Sequence, residues 1–143
     1  MKIDIFTDGG ARGNPGPAAA GIVIKNDHEK SCYGYFLGTM TNNQAEYWAL
    51  IFALGEIYQV HDYITSAITV HMDSELIVKQ VKGAYRVKDG ELIRLHGLVV
   101  GLLKDLPVIE FVHIPREKNT AADKIVNRVL DVQNGVKSIN TTT

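Results

Sequence analysis

Cysteine is almost missing from this chain: Cys32 stands alone among 143 residues. A disulfide framework and a thiolate metal cluster are therefore excluded, and Cys32 itself is expected to be a small buried strand residue. Long apolar runs are missing too. None approaches the ~20 residues that a membrane-spanning helix needs, so no membrane is expected among the partners. The opening Met1-Lys2-Ile3-Asp4-Ile5 carries an acid inside its apolar stretch and no small-residue cleavage site. That is unlike a signal peptide, and the cytoplasm is the expected compartment. Repeats, low-complexity tracts and long linkers are also lacking. One domain over residues 1–134, followed by a short polar tail over residues 135–143, is the expected organisation.

Excess charge of either sign is absent, with a net charge of −1, and the 45% hydrophobic and 22% charged residues are ordinary for a globular domain. The charge is unevenly spread. Residues 1–73 hold 4 Lys/Arg against 8 Asp/Glu, and residues 74–143 hold 11 against 8. An acidic metal site beside a modestly basic substrate surface would produce such asymmetry, and so would solvated helix faces.

What is present is clear patterning. Residues 2–7 alternate and predict a strand ending near Asp8; Gly9 to Pro17, with its glycines and prolines, predicts a loop. Residues 18–25 and 31–37 predict two further strands joined by the turn Asn26-Asp27-His28-Glu29, giving an antiparallel meander. Thr41 or Asn42 is the expected N-cap of a helix running to about Tyr58, with Glu46 in its first turn. A strand over 67–72 ends at Asp73-Ser74, and a short helix over 75–81 stops at Gly83. A helix over about 88–104 is broken by Pro107, a strand covers 108–113, and a helix covers 119–132 with Gly135 as its C-cap signal. The order β-β-β-α-β-α-α-β-α predicts an α/β fold: a mixed five-stranded sheet with helices on both faces.

Asp8 and Asp73 each end a strand, and the crevice beyond strand ends is the preferred ligand site of open α/β sheets. If those strands are neighbours, the two acids repel until a cation neutralises them. Glu46 and Asp123 sit early in helices. A set of carboxylates without cysteine or paired histidines suits the oxygen-preferring ions Mg²⁺ and Mn²⁺ rather than Zn²⁺. Taken singly, each acid also reads as a turn residue or a solvated helix acid.

The segments around them carry a resemblance. Thr7-Asp8-Gly9-Gly10-Ala11-Arg12-Gly13-Asn14-Pro15-Gly16-Pro17, Thr41-Asn42-Asn43-Gln44-Ala45-Glu46-Tyr47, Met72-Asp73-Ser74-Glu75-Leu76, and Pro115-Arg116-Glu117-Lys118-Asn119 through Ala122-Asp123 together resemble ribonuclease H of type 1. They stand in the family's order and with about its spacing, over roughly residues 1–132. The resemblance implies a ribonuclease H-like fold and hydrolysis of the RNA strand of RNA–DNA hybrids, leaving 5′-phosphate and 3′-hydroxyl ends. It implies Asp8, Glu46 and Asp73 as core metal ligands and Asp123 as the fourth acid. Two divalent ions, Mg²⁺ or in its place Mn²⁺, would act on the attacking and departing oxygens, so no side-chain nucleophile is needed. Asn14, Asn42 and Asn43 are the expected readers of 2′-hydroxyls, with Gly9 in the loop that approaches the sugar-phosphate chain and Thr41 on a DNA phosphate. Helix capping alone is the rival role for Asn42 and Asn43. A monomer with no obligatory protein partner is expected. Rival readings are a nuclease of the same fold acting on duplex RNA or DNA junctions, a hybrid-binding module that does not cut, and a phosphotransfer domain, for which a second phosphate loop is missing.

Two stretches depart from the family. Many members carry a histidine in the loop before the last helix; here His113 falls within the strand, and Arg116 is the candidate to contact the phosphate or leaving group. Between Gly83 and Leu92 there is no tryptophan-bearing basic protrusion. Lys79, Lys82, Arg86, Lys88 and Arg94 form either a weaker basic strip or a solvated face. His71, two residues before Asp73, reads as a partly buried strand residue, and Trp48 as packing rather than a base-stacking platform.

Overall fold

A computed structural model describes residues 1–60 and 63–134. The expected polar tail and the Gly135 cap lie outside the described residues. The elements follow the expected order: β1 (Lys2–Ala11), β2 (Gly16–Lys25), β3 (Lys30–Met40), α1 (Asn42–Ile57), β4 (Ala67–Met72), α2 (Glu75–Val81), α3 (Gly90–Leu103), β5 (Ile109–His113) and α4 (Thr120–Gln133). They build one sheet in the order β3-β2-β1-β4-β5. β1, β2 and β3 pair antiparallel as a meander; β1–β4 and β4–β5 are parallel, each reached through helical crossovers.

The alternation of β1 divides the molecule. Ile3 and Ile5 face a core with Ile22, Leu50, Leu54, Val70 and Leu95, where α1 lies on the sheet and α3 packs against α1. The opposite face is covered by α4 over β1, β2 and β3, through a small cluster of Ala19, Val126 and Leu130 flanked by Val129. Gly21 and Gly34 give α4 its seat: a Cβ on Gly21 would stand 2.4 Å from the Ala122 carbonyl oxygen, and one on Gly34 2.9 Å from Ile125 and Val129.

The strands run longer than their sequence suggests. Gly9, Gly10 and Ala11 continue β1 opposite Ala20, Ala19 and Ala18, so the expected loop shrinks to residues 12–15. Glycine signals loop because it stabilises strands poorly; here a neighbouring helix demands that β1 lack a side chain, as shown below. β3 extends to Met40. α3 starts at Gly90 rather than near Lys88, because the Asp89 side chain accepts from the Leu92 N–H and caps it there. Cys32 is exposed, not buried. It lies on the α4 side of β3, where the helix reaches only as far as Gly34.

Candidate active site

Register brings the first two acids together. Thr7 and Met72 are the last paired residues of β1 and β4, so Asp8 and Asp73 stand side by side where β4 leaves the sheet. Asp8 itself stays paired, opposite Gly21 of β2. The third acid comes from α1. Thr41 opens that helix with a reciprocal cap: its hydroxyl accepts from the Gln44 N–H at 3.2 Å, and Gln44 Oε1 accepts from the Thr41 N–H at 2.9 Å. Asn42 Oδ1 then accepts from the Ala11 N–H at 2.9 Å, and Asn14 Oδ1 from the Asn42 N–H at 2.9 Å, tying loop, strand and helix. Glu46 is the fifth residue of α1, just past the first turn in which it was expected. Its Oε1 accepts from the Gly9 N–H at 3.2 Å.

Asp8, Glu46 and Asp73 each present a carboxylate oxygen within 4.8 Å of the other two. Asp8 and Glu46 are 9% and 7% exposed. Among the described residues no lysine or arginine forms an ion pair with any of the three. Burial raises the Asp8 carboxyl from 3.8 to about 7; the adjacent Glu46 carboxyl and the Arg116 charge oppose the shift, while Asp73 and Asp123 add to it. Burial, followed by the charge of Asp8, pushes Glu46 well above the ordinary carboxylate range. Its Oε2 is buried without a hydrogen-bond partner. Clustered buried acids with no lysine or arginine in ion-pair contact and with an orphaned oxygen fit a hard divalent cation.

These acids line one open cleft of about 480 Å³ together with Gly9, Asn42, Asn43, Arg116 and Asp123. Asp123 stands in the first turn of α4. Asn14 and Thr41 do not line the cleft; both hold the start of α1 instead. His113 ends β5 with Nδ1 3.8 Å from Glu75 Oε2, outside the cleft. His71 lies on the same face of the sheet as Asp8 but further down the strands and outside the cleft, 3.0 Å from Asp4 Oδ1 and stacked on Phe6. Trp48 packs beside Phe52. Two members of the expected basic strip are locally engaged, Lys79 with Glu75 and Tyr85 and Arg94 with Glu91.

Three residues of the site drew no role from the sequence. Arg12 bonds Asp131 at 2.7 Å and Asn127 at 3.4 Å, and the Asn127 amide reaches the Asp123 carbonyl at 3.1 Å. Asn119 sits beneath the acids with its amide on Asp73. The only signal was spacing: Asn119, Asp123 and Asn127 recur every four residues, on one helix face.

The sheet order and the acids at its β1–β4 parting define a class, and the family model described as reverse transcriptase-like matches residues 6–129. Among solved structures, a ribonuclease H1 isolated from compost is 44% identical, with a TM-score of 0.86 over 93% of this chain and 98% of that one. The chain belongs to the ribonuclease H type 1 family. The same compost protein in complex with an RNA/DNA hybrid aligns with a TM-score of 0.87 at 43% identity, over 92% of this chain and 99% of that one. Ribonuclease HI of Halobacterium salinarum is 37% identical over 91% of this chain and 65% of its own length. A bifunctional protein of Mycobacterium tuberculosis is 35% identical over 92% of this chain, which spans 36% of that protein. The chain thus covers about a third of the length of the first curated relatives it matches.

Proposed function

We propose that this chain is an endoribonuclease that hydrolyses the RNA strand of RNA–DNA hybrids, with residues 1–134 as the catalytic unit. The observation that carries the reading is the cluster of Asp8, Glu46 and Asp73, without a direct ion-pair partner among the described residues, in an open cleft. These three, with Asp123, would hold two Mg²⁺ ions, or Mn²⁺ in their place. Bound there, the ions supply water activation and neutralise charge on the phosphate and leaving oxygen. The protein's own part is to orient and select. Gly9 lets α1 and the substrate chain approach β1, and Asn42 and Asn43, which line the cleft, read 2′-hydroxyls in the shallow minor groove, while Asn14 and Thr41 hold the start of α1 in place behind them. All four acids come from one chain, which supports action as a monomer. A free, exposed thiol at Cys32 suits the reducing cytoplasm. No helix of the described residues is long and apolar enough to cross a membrane.

The test is incubation with labelled RNA–DNA hybrid, duplex RNA and duplex DNA, with Mg²⁺, Mn²⁺ or chelator. Hybrid is cut only with metal, and a hybrid containing a run of several ribonucleotides is cut far better than one with a single ribonucleotide. DNA duplex stays intact. Efficient cleavage of plain DNA would sink the ribonuclease reading, and preference for duplex RNA would reassign the substrate.

Arg116 lines the cleft and bears on the Asp8 charge, whereas His113 faces Glu75. Arg116 is therefore the expected stabiliser of charge on the scissile phosphate or leaving oxygen. Arg116→Ala should lower kcat by about thirty- to a thousand-fold, the equivalent of about 2–4 kcal/mol. Lys118→Ala should mainly weaken binding and its salt dependence, and His113→Ala should leave the pH profile unchanged. Steady-state kinetics across pH 6–9 decide it; a normal Arg116→Ala rate beside a reshaped His113→Ala profile reverses the assignment.

A further inference from the structure

An asparagine immediately before a helix ordinarily turns its side chain onto its own helix and accepts from the N–H of the second or third residue. Asn119 precedes α4 and makes no such cap bond. Its side chain turns inward and is only 1% exposed. Nδ2 donates to the Thr7 carbonyl at 2.8 Å and to Asp73 Oδ2 at 2.9 Å, which uses both amide hydrogens. Oδ1 is left buried with no hydrogen-bond partner. The residue thus gives up its cap and strands a carbonyl oxygen, two losses that packing or capping alone would not impose.

The two acceptors explain the arrangement. Thr7 immediately precedes Asp8 and is the last β1 residue paired with β4. Asp73 follows the end of β4. The Asn119 carbonyl in turn accepts from the Asp123 N–H at 3.1 Å. One side chain and its own backbone therefore reference three acids to one another across β1, β4 and α4. The donor is neutral, so it fixes an Asp73 oxygen without cancelling the charge that a cation needs; a lysine there would compete with the ion.

We infer that Asn119 is a positioning residue of the metal site, setting the Asp73 carboxylate against Asp8 and the start of α4. This rests on the metal reading above. The full chain, stripped of metal with chelator, is titrated with Mn²⁺ in the absence of nucleic acid and free Mn²⁺ is read by electron paramagnetic resonance. Thermal unfolding and the Mg²⁺ dependence of hybrid cleavage are measured in parallel. Asn119→Ala raises the Mn²⁺ dissociation constant by about 10- to 100-fold, the usual effect of removing a partner of a metal ligand. The Mg²⁺ concentration for half-maximal cleavage rises alongside, with hybrid KM little changed. Val99→Ala, which removes core volume under α3, is the control: it lowers Tm without moving either metal constant. If Asn119→Ala does not fold, Asn119→Ser carries the same measurement. Wild-type Mn²⁺ affinity in a folded Asn119 variant, with only Tm reduced, overturns the inference. Failure of the wild-type chain to bind Mn²⁺ overturns the metal reading, and this inference with it.

Discussion

Asp8→Asn, Glu46→Gln and Asp73→Asn are each expected to lose about a thousand-fold or more in cleavage rate, roughly 4 kcal/mol of transition-state stabilisation, while the metal-free protein folds at least as well. The loss follows from geometry: three oxygens within 4.8 Å of one another leave no neighbouring group to take a missing place. The gain follows from charge. Asp8 titrates at about 7 in the folded chain against 3.8 for a free aspartate, so folding takes up a proton between those values. With more protons bound to the native state, stability contributed by this group is full below pH 4 and declines as pH rises through about 7. Asp8→Asn removes that decline. Its advantage in chelator should grow from nothing at low pH to about 2–4 kcal/mol above pH 7, at about 1.4 kcal/mol per pKa unit. Urea unfolding of both proteins from pH 4 to 8.5 measures it. Parallel pH curves would mean that Asp8 is not held buried beside the other acids in solution, and near-normal turnover by any of the three variants would remove that residue from the site.

Gly9→Ala should be among the most damaging one-carbon changes in the molecule, and the one that bears most directly on the site. Its Cβ would lie 2.2 Å from the Ala45 carbonyl oxygen and 2.4 Å from the Glu46 nitrogen, both backbone atoms that cannot swing aside. Either β1 bends or the start of α1 lifts, and lifting withdraws Glu46 from Asp8 and Asp73. Overpacking against backbone is expected to cost about 3 kcal/mol, lowering Tm by roughly 10 °C, with activity falling further than stability at 25 °C. The neighbouring Gly10→Ala is the contrast. There the new carbon meets only Val126 Cγ1 at 3.5 Å, an ordinary contact, and both Tm and turnover should hold. Equal behaviour of the two variants, in thermal unfolding and in hybrid cleavage, would show that α1 does not rest on Gly9.

The order of elements was legible because alternation, caps and breakers agreed at each boundary: Thr41 before α1, Asp73-Ser74 after β4, Gly83 after α2. Asp8, Glu46 and Asp73 were legible because specific motifs surround them. What escaped depends on partners remote in sequence. Nothing near Gly9 announces that α1 will occupy the space of its missing side chain, so the stretch read as loop. Asn119 read as a helix start, since its actual partners lie 112 and 46 residues away. Lys79 and Arg94 read as either a basic strip or a solvated face, and the acids that engage them locally, Glu75 and Glu91, lie one turn away on their own helices.

The unequal faces of the sheet have a consequence for how the molecule opens. The face under α1 and α3 holds the large cluster around Ile3, Ile5 and Leu50, whereas α4 is held by Ala19, Val126 and Leu130 and by two glycine seats. Local opening follows the apolar contacts that must be broken, so α4 is expected to detach at a smaller free-energy cost than α1 on the opposite face. When it does, Asp123, Asn127 and the anchor of Arg12 leave together, while Asp8, Glu46 and Asp73 remain on β1, α1 and the end of β4. The site is thereby divided into a permanent anvil and a removable clasp, built on two cooperative units of different strength.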